Sequence, residues 1–320
     1  MKSNTLRLLI GSTLAIAVTL ALASCRGNKK GNADWMRDYD VSVAIDETFR
    51  PIMDNLVQTF ALANKEANMK PYYVSEDSAV RMIVNDSVRC AIITRKLNDR
   101  ERLIIKGRGL GVTQALIATD AIALVTSKQN PDSLISLDEV KAIVSGKITR
   151  WEQLKHHSRK GELRLVFDNS RSSTVRYMRD SLCGGNDLKG NVFTSDGGNN
   201  LSVLEMVKKD PDIIGVVGAN WLMGKSDTPL TDFNKLDVKV MAVKGPNSFD
   251  YYVRPYQFKI ATGEYPLHRS VYIVHTDPRT KSLLRDFYFF VKGQKGQTVI
   301  CNNSQMLPSS PVEVKSVNIN

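Results

Sequence analysis

One local pattern recurs along the chain and restricts its fold more than any other feature: a short apolar run, a polar turn, then the start of a helix. Val41, Val43 and Ile45 alternate as a strand; after Asp46-Glu47-Thr48-Phe49-Arg50, a helical face of Ile52, Leu56 and Phe60 follows, with Pro51 suited to a first turn. Pro71 to Val74 leads through Ser75-Glu76-Asp77-Ser78 into a helix carrying Val80, Ile83 and Val84, and Cys90 to Thr94 is a short buried strand ending on Thr94-Arg95. Leu163 to Phe167 runs into Asp168-Asn169-Ser170-Arg171-Ser172-Ser173-Thr174-Val175-Arg176, where Val175, Met178 and Leu182 take up helical spacing. Such alternation predicts an α/β fold with a mostly parallel sheet, and ligands of these sheets gather beyond the carboxyl ends of the strands.

The turn at Asp168 to Arg176 carries the most chemistry. A strand that turns into a helix aims free backbone N–H groups and the positive end of the helix dipole at one spot. Three hydroxyls and two arginines beside that spot suit an oxyanion. A well-capped helix needs the same serines and threonines, so both readings stand on this stretch alone.

Further along, Ala115 to Val125 reads as a kinked strand, and Ser136-Leu137-Asp138-Glu139 is a capping box for a helix ended by Gly146. Trp151 reads as a packing anchor. Leu201 to Lys208 is a helix, and Ile213 to Val217, Asp237 to Val243 and Val271 to Val274 are strands. Asp277-Pro278 is expected to open a helix with Leu283, Leu284, Phe287 and Phe290 inward, whereas Ser226 to Asn234 is polar loop. Gly107-Arg108-Gly109-Leu110-Gly111 follows a helix and lacks the dinucleotide spacing, so it reads as a turn.

The formal charge of +11 raises nucleic acid as a partner, but no dense basic run occurs outside Lys29-Lys30 and no nucleic-acid motif is present, so none is expected. Lys2 and Arg7 precede an apolar run from Leu8 to Ala23, the pattern of a secretory signal. Its end, Leu22-Ala23-Ser24-Cys25, resembles a bacterial lipobox, which implies cleavage before Cys25 and acylation of that residue. Residues 25–38 then read as a polar tether. The other cysteines, Cys90, Cys183 and Cys301, are odd in number and widely spaced, and the four histidines show no ligand spacing, so neither a metal nor a cofactor is expected.

Several segments together resemble the phosphate-binding proteins of bacterial phosphate ABC importers, within the periplasmic binding protein type 2 superfamily. They are Ile117 to Val125 with Asn130-Pro131, Leu137 through Trp151, Ser172 to Arg176, Ile213 to Gly218, Tyr265 to Arg269, and Gly296-Gln297. The resemblance implies a two-lobed fold of mixed sheets flanked by helices, with a ligand cleft between the lobes. It divides the chain into a signal at 1–24, the tether, a first lobe at 39–123 and 271–320, and a second lobe at 124–270. Matched to the family's loops, Thr48 and Phe49, Ser78 (with Ser75 as the competing match), and Ser172, Ser173 and Thr174 would bind the anion. Asp168 falls where the family places an arginine, Ser173 where glycine is usual, and Arg95 where some members carry aspartate. Arg171 or Arg95 could restore the positive charge.

The expected function is therefore that of a lipid-anchored, periplasm-facing monomer that captures a small oxyanion, phosphate first, and hands it to a transporter permease. The alternative is an adaptor whose cleft has drifted and which contacts a transport or envelope complex. A phosphate-ester hydrolase comes third, because no nucleophile elbow and no two-metal cluster is present.

Overall fold

The computed structural model describes residues 40–223, 232–246 and 251–312. The signal segment, the tether with Cys25, and most of the polar loop at 226–234 lie outside the described residues. In chain order, strand β1 (Asp40–Asp46) passes through a single tight turn into α1 (Arg50–Ala63), followed by β2 (Asn68–Val74), α2 (Glu76–Val84), β3 (Cys90–Ile93) and α3 (Asp99–Gly107). The long β4 (Thr113–Ser127) leads to β5 (Leu134–Ser136), α4 (Leu137–Val144), β6 (Arg164–Phe167), α5 (Ser173–Tyr177), β7 (Val192–Thr194), α6 (Asn200–Lys209) and β8 (Ile213–Gly218). Then come β9 (Val238–Val240), β10 (Ala242–Lys244), α7 (Gln257–Ala261), β11 (His268–His275), α8 (Leu283–Lys292), α9 (Gln294–Asn303) and β12 (Leu307–Pro308).

Ten strands form one sheet whose main path is β2-β1-β3-β11-β4-β8-β6-β7. The neighbours β1–β2, β1–β3, β6–β7 and β6–β8 are parallel, while β11 and β8 run antiparallel to β4. The sheet is mixed, as the family resemblance implied, and not mostly parallel as the strand–helix alternation predicted, because β11 runs antiparallel to β3 and β4, and β8 and β9 run antiparallel to β4, its spine. The N-terminal part of β4 pairs with β11 and its C-terminal part with β8 and β9, so one continuous strand passes from the first lobe into the second. The kink expected in this run is a register shift opposite Val271 and Tyr272, where Ile117 is the unmatched residue.

Alternation along β1 sorts side chains between two layers. Val41, Val43 and Ile45 pack with Ile52, Leu56, Phe60 and Phe287 on one face, and Ala44 packs with Ala79, Ile83 and Ile93 on the other. A separate core around Ile122, Leu124, Trp151, Val166, Val203 and Val217 fills the second lobe. Trp151 is the packing anchor its sequence suggested, fully buried there.

The capping box at α4 forms as expected: the Ser136 hydroxyl accepts from the Glu139 N–H, and the Ser136 N–H donates to Glu139 Oε2 at 2.7 Å. Gly146 ends that region at φ +78°, and a Cβ there would lie 3.0 Å from the Gly190 nitrogen, so only glycine suits it. Two local expectations also need correction. The alternating run from Asp237 to Val243 is two strands, because the ladder changes partner at Met241, from β4 to β5. The helix near Asp277 begins at Leu283, capped by Ser282; the Asp277 carboxylate instead accepts from Arg279 at 2.7 and 2.8 Å and from the Ser282 hydroxyl at 2.5 Å, which holds the intervening segment as a loop.

Candidate functional site

The strand-to-helix corners converge where the two lobes meet. At the first, Asp46 ends β1 and accepts the Thr48 N–H on Oδ1 at 3.1 Å, which folds Glu47, Thr48 and Phe49 into one buried turn ahead of α1. The Thr48 carbonyl accepts from two second-lobe side chains, Asn220 Nδ2 at 2.9 Å and Trp221 Nε1 at 2.7 Å. Its methyl packs so close to Gly218 that a Cβ there would lie 2.7 Å away. Glu47 Oε2 accepts from Asn200 Nδ2 at 2.8 Å, a third direct bond between the lobes at this corner.

At the second corner, Ser75 caps α2, and Ser78 lies half-buried with its hydroxyl engaged by Ser75 and by Arg81 Nη2 at 3.0 Å. The residue that reaches inward here is Glu76. Its carboxylate accepts the Thr94 N–H at 2.6 Å and hydroxyl at 2.7 Å, and it takes Arg176 Nε from the second lobe at 2.5 Å. Arg176 also donates to the Thr94 hydroxyl at 2.7 Å.

The third corner is the hydroxyl-rich turn. Ser172 caps α5, which continues as a π-turn through Met178–Leu182. Ser172 Oγ lies 2.8 Å from Thr174 Oγ1, which donates to Asp168 Oδ1 at 3.0 Å. Asp168, Ser172, Ser173 and Thr174 are all buried. The Asx-turn of this loop is made by Asn169, whose Oδ1 accepts the Arg171 N–H at 3.0 Å, so Asp168 keeps its carboxylate pointing inward.

The cation at the centre is Arg269, on β11. It lies above the Phe49 ring, donates Nη1 to Ser173 Oγ at 2.7 Å, and clamps Asp120 Oδ2 through Nε at 3.2 Å and Nη2 at 3.0 Å. Arg171 is exposed, and the Arg95 guanidinium is held by Glu101 at 2.7 and 2.8 Å. The structure thus brings together Thr48, Phe49, Asp168, Ser172, Ser173 and Thr174, and leaves Ser78, Arg95 and Arg171 outside that cluster.

Acids outnumber bases at this junction. Burial pushes Asp46 up to about 7, with the nearby Glu76 charge adding to it, and pushes Asp120 up to about 6 against the pull of Arg269. Burial also raises Asp168, against hydrogen bonds from Ser172, Asn169 and Thr174, and raises Glu47 against bonds from Asn200. Burial would raise Glu76 too, but Arg176 and Thr94 outweigh it and hold that carboxyl below its usual range. Among the described residues, four buried polar atoms around the cluster have no hydrogen-bond partner: Asp46 Oδ2, Thr48 Oγ1, Asp120 Oδ1 and Asn220 Oδ1. Unpaired buried polar atoms are costly, and their gathering here suits a polar guest. Hydroxyls and Arg269 can donate to an oxyanion, while carboxyls poised near neutrality can accept from a protonated one.

Residues 28–293 match a family model described as the PBP superfamily domain. The chain belongs to that family. Among relatives of this PBP superfamily chain, the phosphate-binding protein PstS of Bacillus subtilis is 24% identical over 98% of this chain and 97% of its own length. Protein SphX of Synechococcus elongatus is 25% identical over 78% of this chain and 72% of its own. Among solved structures, a Clostridium perfringens protein assigned as a phosphate ABC transporter substrate-binding protein, with phosphate bound, superposes with a TM-score of 0.68 at 18% identity, covering 85% of this chain and all of that one. An ABC-type phosphate transport receptor from Vibrio cholerae gives 0.58 at 18% identity over 82% and 96%. These likenesses fix the fold as the two-lobed PBP architecture.

Sequence reasoning did not single out Arg269, Asp120, Glu76, Asn200 or Asn220 as site residues, and it counted Arg176 beside the turn only as a cation for an oxyanion, whereas Arg176 bonds Glu76 of the first lobe. A signal existed for the first pair. Asp120 interrupts a long apolar strand, and a carboxylate buried there requires an opposite charge. Arg269 precedes the apolar run Val271 to Val274 and was the available partner.

Proposed function

We propose that this chain is an extracytoplasmic solute-binding protein that captures hydrogen phosphate at the junction of its lobes and presents it to an importer. The observation that carries this reading is the buried set of Ser172, Ser173 and Thr174 hydroxyls, with Ser173 bonded by Arg269, at the point where first-lobe and second-lobe corners meet. The phosphate-binding relatives and the phosphate-bound structural neighbour support it. Capture would proceed by bond exchange, with no covalent chemistry. Guest oxygens take the donors that the corners now share among themselves, and ligand favours the closed arrangement by its greater affinity for it. Asp168 would accept the proton of hydrogen phosphate and so discriminate against sulfate, which carries none at neutral pH. Acylation of Cys25 would tether the protein to a membrane surface. Among the described residues no helix is long and apolar enough to cross one.

Calorimetric titration of phosphate-free protein with phosphate and sulfate tests the reading. Phosphate should bind and sulfate should not; Asp168→Asn should narrow that preference, and Ser172→Ala should weaken phosphate by roughly 1–2 kcal/mol. A second reading, an adaptor with a drifted cleft, is favoured by one observation: Glu76–Arg176, Glu47–Asn200 and Thr48–Trp221 bond the lobes to each other directly. Absence of binding by either anion at millimolar concentration would decide for it.

A further inference from the structure

Outside the buried junction, the mouth of the cleft opens into a polar groove of about 570 Å³. That is within the roughly 300–1,000 Å³ of small-molecule sites and far more than one tetrahedral oxyanion fills. Both lobes contribute to its walls, Lys96 and Asn98 from the first and Ser170, Arg171 and Ser172 from the second. Ser172 connects it to the interior, because its hydroxyl is the one that touches Thr174 in the buried turn.

Most cations here are already committed. Arg95 is held by Glu101, Arg176 by Glu76, and Arg179 by Asp180. Among the described residues, Lys96 and Arg171 make no ion pair, although both face the same groove from opposite lobes. Arg171 is exposed and comes one residue before Ser172; Lys96 is exposed and follows Arg95 at the end of β3. The groove is also lined by the carboxylates of Glu76, Asp77 and Asp180, which pair with Arg176, Arg81 and Arg179, so Lys96 and Arg171 are the unmatched charges on its two sides and favour a second negative group beside a hydroxyl of the inner site.

We propose that the mouth groove is an anion subsite contributed by Lys96 and Arg171, and that the solute class of this cleft is an oxyanion bearing a second anionic group, a diphosphate being the simplest. The proposal rests on the reading of the Ser172 to Thr174 turn as the inner oxyanion site. With one group at the turn, the second lies between the two lobes, so Lys96 and Arg171 would both be drawn to it and would strengthen closure.

The test is calorimetry of the folded protein, from Arg26 onward so that the tether is kept, using inorganic phosphate and inorganic diphosphate as separate probes. Wild type should bind diphosphate about tenfold more tightly than phosphate, and that preference should fall with added salt. Lys96→Gln should lose most of the preference and leave phosphate affinity unchanged, and Arg171→Gln should lower diphosphate affinity to a similar extent. Phosphate binding with no preference for diphosphate overturns the subsite and leaves the phosphate reading intact. A preference that survives both substitutions also overturns it. Diphosphate binding without phosphate binding supports the subsite and removes the phosphate reading; binding of neither removes both.

Discussion

Replacing Arg269 by methionine tests whether its partnership with Asp120 organises the junction. Arg269 and Asp120 are almost fully buried, with 3% and 0% side-chain exposure. Without the guanidinium, the Asp120 carboxylate would be left in the interior with no counter-charge and would be driven to take up a proton. Its folded pKa of about 6 already lies above the unfolded value of 3.8, so in the wild type the stability tied to this group is highest at low pH and falls as pH rises from 4 to 6. The variant extends that loss to higher pH. Holding a proton on a group costs about 1.4 kcal/mol for each pH unit above its unfolded pKa, so the two proteins carry a similar cost at pH 5, and the variant carries a cost roughly 2–3 kcal/mol larger at pH 8. From this group alone, the variant should match the wild type at pH 5 and lose about 2–3 kcal/mol at pH 8, a fall in Tm of roughly 5–10 °C. Thermal unfolding by circular dichroism in phosphate-free buffer at both pH values measures this. Adding Asp120→Asn should recover much of the pH 8 loss. Equal losses at pH 5 and pH 8 would refute the reasoning, because the penalty would then come from packing and not from an unpaired carboxylate.

Asp46 gives a related effect of its own. Its folded pKa of about 7 exceeds 3.8, so stability should decline from pH 4 to pH 7; Asp46→Asn should flatten that profile and gain up to roughly 4 kcal/mol above pH 7, read from Tm against pH. For Cys25, a clickable fatty acid should label the wild type and not Cys25→Ala in the producing cell, and equal labelling would remove the lipid anchor.

The fold was legible because its signals are local. Strand alternation, the Ser136-to-Glu139 box and the Gly146 stop each depend on residues a few positions apart, and each appears in the structure. Where a segment's partner decides its form, local pattern fell short. The alternating valines of Asp237 to Val243 do not show that the ladder changes partner at Met241, and Asp277 looks like a helix cap until Arg279 and Ser282 occupy it. The junction was half legible for the same reason. The hydroxyl turn is contiguous in sequence, whereas Arg269 meets Asp120 across 149 positions and Arg176 meets Glu76 across 100. Charge on an apolar strand shows that a partner must exist, but not which one.

The place of β11 in the sheet also sets when the protein can become native. This strand lies between β3 and β4, yet it is made after the whole second lobe. Until His268 to His275 has been synthesised, the inner edges of β3 and β4 have no neighbour, and Arg269 cannot neutralise Asp120. Non-local pairing of this kind delays folding. For the exported protein proposed above, the delay would keep the chain threadable until nearly all of it has been made. A fragment ending at Leu267 should therefore remain protease-sensitive throughout residues 40–123, and a protected first lobe in that fragment would refute this order of assembly.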